Sequence, residues 1–272
     1  MISLNPPTAI ITLKNGIPCS GVDPLDRAFL YGDGLFTSVR VRTGVALLWP
    51  RHMQRLQQGA LALALDVDFG QLEVDALKQC TQLGNGTLKV LLSRGVGTRG
   101  YLPPQQDADV YLQVFPQWTP DVAPPAMESG VLAGQLGQAM QQLAGIKTLN
   151  RLEQVLLRQE LATKGWPEGL VCDGHGMIVE GVYSNCFFRV AGAWWTPPIM
   201  YSGIRGVMRA ELIAQMQARQ IPLHIRTLHR EALDQIEALF FCNALIEVVP
   251  VATLAGRSID VEAVKSLMNL LS

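Results

Sequence analysis

No stretch of the 272 residues approaches the roughly 18–20 consecutive apolar positions that a membrane-spanning helix needs, so no membrane partner is expected. The opening MISLNPP has neither a basic start nor an apolar stretch, and predicts no secretory signal. An excess of charge of one sign is also lacking. Lys and Arg number 22 against 23 Asp and Glu, for a net charge of −1 and a pI near 6.4. That balance argues against a protein built to grip nucleic acid or an anionic membrane. Cysteine is sparse: Cys19, Cys80, Cys172, Cys186 and Cys242 are odd in number and show no CxxC spacing. They read as reduced thiols of a cytoplasmic protein, not as a disulfide framework or a zinc site. The four histidines lack ligand spacing, and no metal is expected.

What is present is enough apolar matter for a sizeable core. Hydrophobic residues make up 49% and charged residues 17%, the composition of a packed chain rather than a disordered one. The length suits one large domain or two modest ones. Residues 9–13 and 36–42 read as strands, 50–65 and 71–83 as helices, and 87–93 and 109–115 as strands. Residues 116–126 (PQWTPDVAPPA) hold four prolines in eleven positions and read as a linker. Beyond it, 151–164 reads as an amphipathic helix, and 169–173, 177–180 and 186–190 as short strands joined by glycine turns. A helix at 205–219, strands at 238–242 and 246–251, and a helix at 260–271 close the chain. Helices and strands are mixed without the regular alternation of a doubly wound sheet. The expectation is α+β, with a small N-terminal domain (1–115), the linker (116–126) and a larger C-terminal domain (127–272).

Several residues could carry chemistry. Lys147, in the apolar and turn-rich AGIKTLNR (144–151), could be a desolvated lysine with a lowered pKa, able to form imines. Read alone, it is also an ordinary exposed lysine before a helix. Glu180 ends an apolar strand beside a glycine turn and could pair with a protonated ring nitrogen; read alone, it is a strand-end carboxylate facing water. Asn185, in the same turn, could support a ring oxygen or the backbone. GIRG (203–206) precedes a helix, whose open N–H groups form an anion site. CNAL (242–245) could add further N–H groups and an amide, and Arg55 a fixed positive charge. The glycine-rich GVGTRGY (95–101) carries Arg99 and Tyr101 and could close over a carboxylate. A nucleotide-cradling reading of that loop fails, because no GK[ST] follows and no helix opens there.

Taken in order, these segments resemble the fold-type IV pyridoxal-phosphate enzymes, the group of branched-chain and D-amino-acid aminotransferases and aminodeoxychorismate lyases. The resemblance rests on DRAFLYGDGLF (26–36), HMQRL (52–56), GIKTLN (145–150), Glu180-Gly181 with Ser184-Asn185, Thr196-Pro197 followed by GIRG (203–206), and Cys242-Asn-Ala ending in Pro250-Val251. Within the group, three details are similar to the aminodeoxychorismate lyases. Ser38 stands where the lyases carry a hydroxyl residue, usually threonine. SRGVGTRGY (93–101) matches their substrate loop, and Asn243 falls on a substrate-facing asparagine.

The resemblance implies a two-domain fold with pyridoxal 5'-phosphate as cofactor and Lys147 as its Schiff-base lysine and general base. It implies Glu180 at the ring nitrogen, with Asn185 in support. Arg55, Ile204, Arg205, Asn243 and Ala244 would hold the phosphate. Arg99, Tyr101, Asn243 and Tyr31 would meet the substrate, with Arg40 a candidate for its second carboxylate and Ser38 a proton relay. The implied reaction converts 4-amino-4-deoxychorismate to 4-aminobenzoate and pyruvate in folate synthesis. The implied assembly is a cytoplasmic homodimer, a loop of the partner lining the site. A D-amino-acid or branched-chain transaminase of the same group is the alternative; it would use the same lysine, glutamate and phosphate residues. A non-catalytic binding protein on this scaffold would be expected to lose Lys147 or Glu180, and both are present.

Overall fold

The computed structural model describes residues 11–116 and 125–271. Two compact units are defined by their internal contacts: Met1–Pro120 with Ile146–Asn150, and Asp121–Gly145 with Arg151–Ser272. Residues 9–10 of the first expected strand and 117–124 of the expected linker lie outside the described residues.

In the first unit, β1 (Ile11–Lys14), β2 (Ile17–Pro18), α1 (Arg27–Tyr31), β3 (Gly34–Arg42), β4 (Val45–Ala46), α2 (Trp49–Leu63), α3 (Phe69–Leu83), β5 (Gly86–Ser93) and β6 (Asp109–Pro116) follow in turn. The strands form one antiparallel sheet of order β2-β1-β6-β5-β3-β4. Strand alternation divides its two faces. Leu35, Val39, Leu88, Val90, Leu92 and Leu112 turn into the core, against Leu56 and Ala60 of α2 and Leu72 and Ala76 of α3. Each large apolar side chain buried there contributes about 1.5–3 kcal/mol. α2 buries Trp49, His52, Met53, Leu56 and Ala60, one helical stripe, and Pro50 sits in its first turn, where its missing N–H costs nothing. α3 begins at Asp68, whose carboxylate accepts the Gln71 N–H at 2.9 Å.

The second unit holds β7 (Met127–Ser129), β8 (Val131–Leu136), α4 (Leu152–Lys164), β9 (Leu170–Asp173), β10 (Ile178–Gly181), β11 (Asn185–Val190), β12 (Ala193–Thr196), α5 (Val207–Ala218), β13 (Leu223–Ile225), a 3-10 turn (Arg230–Gln235), β14 (Ala238–Asn243), β15 (Glu247–Leu254), β16 (Arg257–Ser258) and α6 (Val261–Leu271). A seven-stranded sheet runs β13-β12-β11-β14-β15-β16, with β7 on β15; a three-stranded sheet runs β10-β9-β8. Paired phenylalanines build its layers. Phe187 and Phe240 stack 5.0 Å apart beneath α5 and α6. Phe188 and Phe241, one residue on, turn to the other face and pack with Leu170 and Ile178 of the small sheet. α4 covers that sheet through Leu157 and Leu161. Among the described residues no helix is long and apolar enough to cross a membrane.

Candidate active site

Lys147 belongs to the first unit, although the chain on either side of Ile146–Asn150 belongs to the second. Its segment is fastened to the start of β3. The Phe36 N–H donates to the Lys147 carbonyl and the Leu149 N–H to the Gly34 carbonyl, both at 3.0 Å. The Lys147 Nζ lies 4.4 Å from the centre of the Phe36 ring. Ser38 and Arg40 follow at two-residue spacing on the same face of β3, away from Leu35 and Val39. Lys89 of β5 is the register partner of Ser38. Its Nζ sits 5.1 Å from the same Phe36 ring, and burial pulls its pKa below the ordinary value. Lys89 was not singled out from sequence; the available signal was a lone lysine in the apolar strand TLKVLLS.

Thr37 points to the buried side of β3, where α2 presents His52 and Arg55 three residues apart. The Arg55 Nη2 donates to the Thr37 hydroxyl, and that hydroxyl lies 2.6 Å from His52 Nδ1. A hydroxyl that accepts from Arg55 has its own proton to give, so His52 Nδ1 is the acceptor and the imidazole carries its proton on Nε2. Burial, and then the Arg55 charge, hold the His52 pKa down to about 3. Burial also lowers Arg55 to about 10. Among the described residues, the buried His52 Nε2 and Arg55 Nε have no hydrogen-bond partner. An arginine with an unmet buried donor is chemically prepared for an anion.

Arg99 and Tyr101 are exposed, but their loop is tied down. The buried Arg27 guanidinium donates to the carbonyls of Gly100 (2.8 Å) and Tyr101 (3.1 Å) and to Asp33 (2.9 Å). The Tyr31 hydroxyl accepts the Gly100 N–H at 3.2 Å, and the Tyr31 and Tyr101 rings meet edge to face at 5.7 Å. The expectation of a loop free to close is thus limited at its Gly100–Tyr101 end by α1.

In the second unit, Glu180 and Asn185 are buried and meet at Ile204. The Ile204 N–H donates to Glu180 Oε2 at 2.8 Å; Asn185 Nδ2 donates to the same oxygen at 3.3 Å and to the Ile204 carbonyl at 2.8 Å. The Arg205 N–H donates to the Gly145 carbonyl at 3.0 Å, and its guanidinium to the Ile199 carbonyl. The amides of Ile204 and Arg205 therefore have protein acceptors. α5 begins at Gly206 with no side-chain cap, so the N–H groups of its first turn are left without a side-chain acceptor. Gly206 is required there, since a Cβ would strike Asn185 Oδ1. Asn243 Oδ1 closes its own turn by accepting the N–H groups of Leu245 (2.9 Å) and Ile246 (3.0 Å), while its Nδ2 donates to the Tyr183 carbonyl at 3.3 Å. Ala244 lies inside that turn.

The class defined by these parts is a two-unit α+β enzyme scaffold with a lysine held against a sheet and a buried arginine in the first unit, and a buried carboxylate beside an uncapped helix start in the second. The family model for amino-transferase class IV matches residues 34–254, and the chain belongs to that family. It is 26% identical over 246 residues to the aminodeoxychorismate lyase of Vibrio harveyi, covering 89% of this chain and 90% of that protein. The crystal structure of 4-amino-4-deoxychorismate lyase from Pseudomonas aeruginosa superposes with a TM-score of 0.87 at 34% identity, covering 96% of this chain and 98% of the other. A hypothetical aminotransferase from Mycobacterium tuberculosis, solved in a PLP-bound form, shares the fold with a TM-score of 0.80 at 21% identity, over 96% of this chain and 97% of that one.

Proposed function

We propose that this protein is an aminodeoxychorismate lyase, a pyridoxal 5'-phosphate enzyme that converts 4-amino-4-deoxychorismate to 4-aminobenzoate and pyruvate. The observation that carries the reading is the hydroxyl residue Ser38, on the same face of β3 as Phe36, the ring against which Lys147 Nζ rests. The similarity to two lyases along nearly their whole length supports it.

The residues fit the cofactor chemically. Arg55, with its orphaned Nε, and the uncapped start of α5 suit a phosphate. A buried carboxylate, Glu180, suits a protonated ring nitrogen, and a primary amine, Lys147, suits an aldehyde. When bound, the cofactor supplies an electron-accepting ring. Lys147 Nζ would hold the cofactor's aldehyde and, as a free amine, would take the proton from the substrate carbon that bears the amino group. Glu180, fixed by the Ile204 N–H and Asn185, keeps the ring nitrogen protonated. The ether C–O bond to the three-carbon enol breaks and the substrate ring becomes aromatic. The Lys147 ammonium returns its proton to the enol methylene, giving pyruvate, and the Ser38 hydroxyl relays or orients that proton. Arg99, Tyr101, Tyr31 and Asn243 bind the substrate, and Arg40 and Lys89 offer cations for its carboxylates.

We place the enzyme in the cytoplasm as a homodimer. Exposed Leu25, Phe29 and Leu30 in the first unit, and Leu152, Val155 and Leu156 on α4 in the second, support a second copy covering them. The alternative is a D-amino-acid or branched-chain transaminase using the same Lys147 and Glu180. The cofactor-loaded protein should release 4-aminobenzoate and pyruvate in equal amounts from aminodeoxychorismate, and Lys147→Ala should abolish that release. Rapid glutamate formation from D-alanine or L-leucine with 2-oxoglutarate, without 4-aminobenzoate, would establish the transaminase instead.

A further inference from the structure

We infer that Glu168 is a positioning residue: its buried carboxylate holds the turn 181–184, and through that turn sets Glu180, Asn185 and Asn243. The inference rests on the cofactor reading above. Glu168 lies between α4 and β9 and is wholly buried. One oxygen, Oε1, accepts the N–H groups of Val182 (2.8 Å) and Gly169 (3.0 Å). The other, Oε2, accepts the Ser184 hydroxyl (2.6 Å) and the Tyr183 N–H (3.3 Å). Three of these four donors belong to the turn between Glu180, which ends β10, and Asn185, which begins β11.

A tight turn leaves the N–H groups of its middle residues with no strand to pair with, and in a buried place each needs an acceptor. Glu168 supplies those acceptors. The turn itself closes with the Gly181 N–H on the Ser184 carbonyl at 2.8 Å. Position 181 has no room for a side chain: a Cβ would come within 2.8 Å of Glu168 Cδ and 2.6 Å of Ser184 Oγ. The same loop clamps the turn a second time, through the Tyr183 hydroxyl on the Pro167 carbonyl at 2.6 Å.

The turn then reaches the candidate residues by three routes. Glu180 and Asn185 are its covalent neighbours and converge on Ile204. The Tyr183 carbonyl accepts Asn243 Nδ2 at 3.3 Å. A shift of the turn therefore displaces the ring-nitrogen carboxylate and the asparagine turn together. Burial raises the Glu168 pKa to about 7 against the pull of its donors, as expected of a carboxylate held here by neutral groups alone.

The test compares the cofactor-loaded wild-type protein with Glu168→Gln, Glu168→Asp and Ser184→Ala. The readouts are melting temperature with and without cofactor, dissociation constant for pyridoxal phosphate, the pH midpoint of its bound absorbance band, and kcat and KM. Glutamine presents an NH2 where a donor now meets an acceptor, so Glu168→Gln should weaken cofactor binding about tenfold. It should also move the pH midpoint and lower kcat more than it raises KM. Glu168→Asp, which keeps the charge, should restore part of the spectral change. Ser184→Ala should move the same readouts less, and adding it to Glu168→Gln should cost little more. Folded Glu168→Gln with wild-type affinity and spectrum, whatever its melting temperature, overturns the inference. If that variant does not fold, Ser184→Ala with unchanged affinity and spectrum overturns it instead. A wild-type protein that shows no cofactor band overturns the cofactor reading itself, a separate failure.

Discussion

Arg55 meets a neutral hydroxyl, Thr37, behind which stands a neutral imidazole, His52. Neither partner cancels its charge, and its buried Nε is unmet. A cation kept in this state is costly to the folded chain by itself and becomes favourable when an anion arrives. Arg55→Gln should therefore weaken pyridoxal-phosphate binding by about 10- to 100-fold, the worth of a charge-assisted hydrogen bond. The melting temperature without cofactor should hold or rise, because a poorly compensated buried charge is gone. The gap between melting with and without cofactor should shrink, since only binding to the folded state raises it. Titration of cofactor into both proteins, with a thermal scan of each, reads all three quantities. Wild-type affinity in the variant would remove Arg55 from the phosphate.

At the scale of elements, α1 is five residues long and acts as a bracket for the 95–101 loop. Asp26 caps it through the Ala28 N–H at 2.8 Å, and Arg27 reaches from it to two loop carbonyls. Lysine keeps the charge of Arg27 but not the planar fork that spans Asp33 and those carbonyls. Arg27→Lys should speed hydrogen exchange across the loop and raise KM about tenfold while kcat changes less. An unchanged exchange rate would show that the loop holds itself.

The bracket was not legible in the sequence, because a five-residue helix with exposed Phe29 and Leu30 shows no helical stripe. α2, α3 and β5 were legible, since each buries one face and repeats at its own period. α4 was found as a helix, but with Leu152, Val155 and Leu156 exposed its apolar positions do not mark one buried side. Short strands such as β12 and β13 hold too few residues to show a period. The same divide runs through the candidate site. Lys147, Glu180 and Arg55 stand in recognisable local motifs. Lys89 depends on strand register, Thr37 on which face of β3 is buried, and Glu168 on a turn that follows it by more than ten residues.

For the molecule as a whole, two buried titratable groups respond to acid in opposite directions, one in each unit. The His52 pKa falls from 6.5 to about 3 on burial. Between those values the unfolded chain holds a proton that the folded one refuses, so the first unit loses stability as pH drops through 6.5 toward 3. The Glu168 pKa rises from 4.5 to about 7. Between those values the folded chain holds the extra proton, so the second unit gains stability as pH drops through 7 toward 4.5. Each slope is about 1.4 kcal/mol per pH unit. In a single cooperative transition the two effects would cancel from pH 6.5 to 4.5, and only the His52 loss would remain below. If the units open separately, acid must pull their stabilities apart, with the first unit weaker by several kcal/mol near pH 4.5. Hydrogen exchange followed by peptide mass distinguishes the cases, because peptides of α2 and β5 report on the first unit and those of β11 and β14 on the second. Protection should fall in the first pair and hold or rise in the second between pH 6.5 and 4.5. His52→Gln, which keeps a partner for Thr37 but cannot titrate, should flatten the response of the first unit and leave the second unchanged. Equal protection of α2 at both pH values in the wild-type protein would mean that His52 is not held neutral by burial.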